Sequence, residues 1–127
     1  MTMADMKSKE GGLDAFLEFC AGVNKAVEDS ETGMLMQSLN ATDDPLTFTW
    51  VNVFQNDAAL LAHLANPAVG EGLAKAPELT EGEMVVHLYG EIGAETKALA
   101  ESLGFTLNIH APKLGFSGIF APRTLPK

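Results

Sequence analysis

Apolar positions along the chain switch between two periods, and the switches mark the elements. Leu13, Phe16, Leu17, Cys20, Val23 and Val27 recur at helical offsets, after Gly11-Gly12 and before the Gly33 turn signal, and predict the first helix. Residues 34–40 and 46–54 read as strands, and Asp43-Asp44-Pro45 between them is turn chemistry, so a hairpin is expected. Asn56 reads as the N-cap of a helix over 58–65, and Asn66-Pro67 starts a second helical piece that Gly70 and Gly72 weaken. Beyond Pro77 and an acidic turn over 78–83, residues 84–89 predict a strand, 94–103 a helix closed by Gly104, and 105–110 a last strand before a Pro/Gly-rich tail.

With a short strand over residues 2–8, the order is β-α-β-β-α-β followed by α-β. That order predicts an α+β fold: a ferredoxin-like antiparallel sheet with helices on one face, plus a C-terminal helix and strand. A sheet covered on one face leaves the other for a second copy of the chain, so a homodimer is expected. Strand period divides 46–54 into Leu46, Phe48, Trp50, Asn52 and Phe54 on one side and Thr47, Thr49, Val51 and Val53 on the other. The Thr/Val side suits packing under helices. The aromatic side is then expected to be uncovered, to meet the second copy and to line a ligand cavity.

Composition narrows the function. A chain of 127 residues, 46% of them apolar, fits one domain over 1–127 with a sizeable core. Seventeen acidic residues against eight basic ones give a net charge of −9, and residues 26–85 alone hold ten acids and one base. Without a basic cluster, nucleic acid and anionic membrane surfaces are poor partners. A single arginine, Arg123, makes nucleotides and coenzyme A poor ligands. The start has no apolar run of a signal peptide, no window spans a bilayer, and the lone Cys20 forms no internal disulfide, which together predict a cytoplasmic protein. No metal-ligand spacing and no glycine-rich phosphate loop occur, so neither a metal nor a cofactor is expected.

Glu31-Thr32-Gly33-Met34-Leu35-Met36, then Asp43-Asp44-Pro45-Leu46-Thr47-Phe48, then the run from Phe54 to Leu64 ending in Ala62-His63-Leu64 resemble the antibiotic biosynthesis monooxygenase family of dimeric α+β barrels. The resemblance covers residues 2–90, with Pro67 and the 84–89 strand where the family has a Pro and its last core strand. Residues 91–127 are less typical and read as an extension, an added helix and strand that embrace the partner copy. What the resemblance implies is a small-molecule-binding barrel, with cofactor-independent oxygenation of an apolar phenolic or polyketide-like substrate as its chemistry. A non-catalytic binding protein for a fatty or other apolar ligand is the alternative. Asn52 and Phe54 stand where the family often has an acid and a Trp. His63 and Leu73 stand where its haem-degrading branch has a Trp and a His, which argues against haem degradation.

The candidate catalytic residues are Asn52, His87 and Tyr89, and the candidate substrate-binding residues are Leu35, Gln37, Phe48, Trp50, His63 and Val85. Trp50 and Asn52 read either as an aromatic wall with an amide for a phenolate oxygen or as an interface aromatic with a satisfied buried amide. His87 and Tyr89, two apart on one strand face, read as an acid/base pair or as a plain hydrogen-bonded pair. His63 borders the cavity or caps the apolar helix stripe. His110 carries no argument of its own. Met34 and Met36 read as core, and Cys20 as a buried, inert thiol. The expectation to be tested is that Gln37, Asn52, His87 and Tyr89 converge in one cavity walled by Leu35, Phe48, Trp50 and Val85.

Overall fold

The computed structural model describes residues 1–115. Its elements run β1 (Thr2–Ser8), α1 (Leu13–Ser30), β2 (Met34–Ala41), β3 (Thr47–Phe54), α2 (Asp57–Ala65), α3 (Pro67–Leu79), β4 (Thr80–Tyr89), α4 (Ala94–Ser102) and β5 (Thr106–His110). The strands form one sheet in the order β2-β3-β1-β4-β5. The first four pair antiparallel, as the ferredoxin-like reading requires. β5 joins β4 in parallel after a helical crossover through α4, so residues 106–110 lengthen this chain's own sheet. No described helix is long and apolar enough to cross a membrane.

Local chemistry places the boundaries. Asn56 caps α2 by accepting from the Ala59 N–H at 2.9 Å, and Asn66 caps α3 by accepting from the Ala68 N–H at 3.0 Å. The β2–β3 turn closes on Asp44, whose carboxylate accepts from the Leu46 N–H at 3.0 Å and the Thr47 hydroxyl at 2.8 Å. Those bonds hold its carboxyl below the usual range, the Leu46 N–H foremost.

One boundary differs from expectation. α3 runs through Pro77 to Leu79, and β4 starts at Thr80, so most of the expected acidic turn is strand. Ala76 and Leu79 flank Pro77 and pack into the core, which outweighs the helix bond the ring forgoes. The Thr80 hydroxyl and the Lys9 N–H then take up the Ala76 and Leu79 carbonyls at 2.9 and 3.1 Å. Gly72, expected to weaken α3, is where it approaches α1: a Cβ there would meet Val23 at 3.2 Å.

The register corrects the face assignment. Phe48, Trp50 and Asn52 pair with Met6, Ala4 and Thr2 of β1, so these residues share a side. That side is under the helices: Phe48 and Trp50 pack with Met6, Phe16, Cys20 and Ala76, and Phe54 packs with Leu60 and Leu88. Phe48 and Phe16 have ring centroids 5.7 Å apart. Thr47, Thr49, Val51 and Val53 therefore occupy the opposite side, which the described helices leave uncovered. Size explains the reversal, since rings reach from sheet to helix layer and fill it at core density, whereas a Thr/Val row would leave voids.

Candidate functional site

A cavity of about 120 Å³ remains between the sheet and the helices. β1 and β3 form its floor with Ala4, Trp50 and Asn52, and α1, α2 and α3 roof it with side chains such as Phe19, Leu60 and Leu73. Its lining is mostly apolar, so the few polar groups in it stand out. Gln37 of β2 is the register partner of Asn52 of β3, which sets the two amides side by side on the helix-covered face. Gln37 Oε1 and Asn52 Oδ1 are fully buried and have no hydrogen-bond partner among the described residues. An unsatisfied buried acceptor costs about 1–3 kcal/mol, so two beside one cavity are a ready site for ligand hydroxyls.

His63, 7% exposed, is a further polar element of the wall, as is Thr2. The helical turn after the Asn56 cap carries it over Phe54, with ring centroids 5.2 Å apart. Its Nδ1 lies 2.8 Å from Glu31 Oε2 and 3.1 Å from Oε1. Asn66 Nδ2 donates to the same carboxylate at 2.9 Å and to Ser30 Oγ at 3.0 Å, tying the end of α1 to the start of α3. A carboxylate only accepts, so a proton of the pair sits on Nδ1, and the neutral form of the ring carries its lone pair on Nε2. Gly33 permits this closeness: a Cβ there would lie 2.5 Å from the Ala59 Cβ of α2.

The expected set of site residues divides. Gln37, Trp50, Asn52 and His63 line the cavity. Phe48 stays on the same side but packs into the core beside Phe16. Val85, His87 and Tyr89 face the other way: Val85 and His87 pair with Asp5 and Met3 of β1, on the uncovered side. Leu35 is 45% exposed and lines a separate groove near Glu28 and Glu31. The expected convergence of Asn52 with His87 and Tyr89 is thus corrected, because the strand carries them to opposite faces of the sheet.

On that other face His87 and Tyr89 acquire a partner that sequence reasoning passed over. His110 of β5 lies with Nε2 3.0 Å from His87 Nδ1, and its ring stacks on Tyr89 with centroids 4.6 Å apart. Parallel pairing of β4 with β5 places Tyr89 beside His110, a relation no local pattern announces. Glu31 was also missed, since it lies 32 residues from His63 and meets it only in the fold. Cys20 matches its expectation: it is buried, and burial pushes its thiol up to about 11, leaving no thiolate near neutral pH. Met34 packs against the Phe54 cluster as expected of core, whereas Met36 is 45% exposed.

Known proteins share this architecture. The chain is 30% identical to protein SO0527 from Shewanella oneidensis, with a TM-score of 0.61 over 67% of this chain and 82% of that one. MupZ from Pseudomonas fluorescens superposes with a TM-score of 0.68 at 22% identity, over 91% of this chain and 86% of the other. Rv0793 from Mycobacterium tuberculosis gives 0.61 at 16% identity, over 67% and 86%. No curated protein matches the chain. Residues 1–75, from β1 through most of α3, match the family described as antibiotic biosynthesis monooxygenase. With over half its length in that match and the sheet order to support it, the chain belongs to the antibiotic biosynthesis monooxygenase family.

Proposed function

We propose that the chain binds a mostly apolar, hydroxyl-bearing molecule in the cavity beneath its helices and oxygenates it with dioxygen and no cofactor, the substrate being phenolic or polyketide-like. The observation that carries this reading is the pair of buried amide oxygens of Gln37 and Asn52, without partners among the described residues, in a mostly apolar cavity. Such a lining suits a ring system with a few oxygens, oriented by one or two hydrogen bonds worth about 0.5–1.5 kcal/mol each. Trp50 supplies a flat wall for that ring. In the reaction an activated ring CH₂ becomes C=O while the second oxygen atom leaves as water. The substrate supplies all four electrons that dioxygen takes up.

The test is dioxygen uptake with a hydroxylated anthrone, a phenol carrying an activated ring CH₂, before and after exhaustive chelation. Uptake with a quinone product, undiminished by chelator, supports the proposal. Loss of turnover on chelation overturns the cofactor-free reading. Asn52→Ala is expected to lower turnover more than affinity. If it changes affinity alone and no oxygen is consumed, the chain is a binding protein for apolar ligands instead.

The uncovered face of the sheet is proposed to meet a second copy, as members of this family typically assemble as dimers. Val51, Val53, Val85 and Met36 present an apolar row there, with Met36 45% exposed. Light scattering at micromolar concentration is expected to give twice the chain mass, and a monomer unchanged by dilution would contradict it.

A further inference from the structure

We infer that His63 is the base that ionises a hydroxyl-bearing ligand in the cavity beneath the helices, and that Glu31 is the positioning residue that orients it and balances its charge. The inference rests on the cavity reading above and adds the step that makes a phenol reactive.

The geometry separates the two nitrogens of the imidazole. Nδ1 is held by the Glu31 carboxylate at 2.8 Å, and among the described residues Nε2 makes no hydrogen bond. His63 belongs to the cavity wall, so Nε2 is the nitrogen left to meet a ligand. Glu31 is itself fixed, by His63 on one side and by the Asn66 amide on the other. Its side chain is only 6% exposed, so solvent screens the 2.8 Å contact with the imidazole little. The other groups against His63 are uncharged: β3 presents Phe54, and the α3 cap presents Asn66. A buried carboxylate holding one ring nitrogen of a histidine that itself lines a cavity is the arrangement that orients a general base and stabilises the imidazolium it becomes.

The step balances without an oxidant. The ligand O–H bond breaks, its proton passes to the Nε2 lone pair of His63, and the bonding electrons stay on oxygen as phenolate. The imidazolium then lies between phenolate and Glu31 carboxylate. The amides of Gln37 and Asn52 each present a donor and an acceptor to ligand oxygens in the same cavity.

4-Nitrophenol tests the inference, because its colour reports ionisation directly and separately from binding. With the wild-type chain the bound phenol is expected to ionise at least tenfold more readily than the free phenol, a downward shift of its titration midpoint by a unit or more. His63→Gln is expected to bind it with the free-phenol midpoint, and Glu31→Gln to recover only part of the shift. ¹⁵N spectra of His63 should show the proton on Nδ1 in the wild type, which checks the orientation in the unaltered fold. Binding with the same midpoint in wild type and His63→Gln, or a proton on Nε2 in place of Nδ1 in the ligand-free chain, would overturn the inference while leaving the cavity in place. Absence of any binding to the wild-type chain overturns the cavity reading and the inference together.

Discussion

Neighbouring residues on β3 meet opposite surroundings. Trp50 and Asn52 turn under α1, α2 and α3 beside a cavity, whereas Val51 and Val53 turn to a side that the described helices leave bare. The same division runs across the sheet. The covered side holds Met6, Leu88 and two amide oxygens without partners among the described residues, and the bare side holds Val85 and the stacked His87, Tyr89 and His110. Large rings and unsatisfied amides on one side fit a site for a small ligand. β-branched residues of modest size on the other make a flat surface suited to a second sheet. A polar group is therefore informative according to the face it occupies: Asn52 Oδ1 is buried beside the cavity without a partner among the described residues, while His87 finds one in His110.

The contrast breaks first at its structural foundation. Phe16 is fully buried against Phe48 and the sheet, so Phe16→Ala should cost about 3–5 kcal/mol in chemical denaturation. Val53→Asp, on the bare side, should instead split a dimer into monomers with the cavity's ligand binding retained. If Val53→Asp unfolds the chain and Phe16→Ala is tolerated, the two faces have been assigned the wrong way round.

Gly33→Ala probes the join between the α1 end and α2, with a smaller expected effect. The new Cβ would sit 2.5 Å from that of Ala59, so one segment must move, at about 1–3 kcal/mol. Glu31, two residues away, should move with it and loosen the His63 pair, seen as a changed His63 ring resonance. An unchanged resonance would show that the pair is held independently of this contact.

The smallest effect is expected at the exposed hairpin turn, remote from both faces. The Asp44 carboxyl is held low by the Leu46 N–H, the Thr47 hydroxyl and Lys7, so its contribution is complete above the ordinary carboxylate range. It disappears as pH falls through the lowered value. Asp44→Asn should therefore flatten the acid limb of a stability–pH curve slightly and leave neutral-pH ligand binding unchanged. A loss of ligand binding in that variant would link the turn to the cavity, contrary to this account.

Much of this organisation was legible in the sequence. The α1 stripe ending in Val27, the Asn56 and Asn66 caps and the Asp44-Pro45 turn each carry a local signal, and each lies where that signal points. Strand period also grouped Phe48, Trp50 and Asn52 correctly on one side. It could not say which side the helices cover, because alternation is symmetric and only the volume to be filled between two layers decides. Pro77 misled for a related reason, since packing of Ala76 and Leu79 overrides the local preference to stop. Of the candidate site, Trp50, Asn52, Gln37 and His63 were chosen on residue type and family resemblance. Glu31 and His110 escaped because each meets its partner across the fold, 32 and 23 residues away in the chain.

Entry of the ligand between sheet and helices can be followed by NMR titration of the isotopically labelled chain with 4-nitrophenol. The side-chain amide resonances of Gln37 and Asn52 and the indole resonance of Trp50 are predicted to shift together and saturate at one ligand per chain. Shifts confined to Val51, Val53, His87 and Tyr89, with those three side chains unmoved, would place the ligand on the bare face and contradict it.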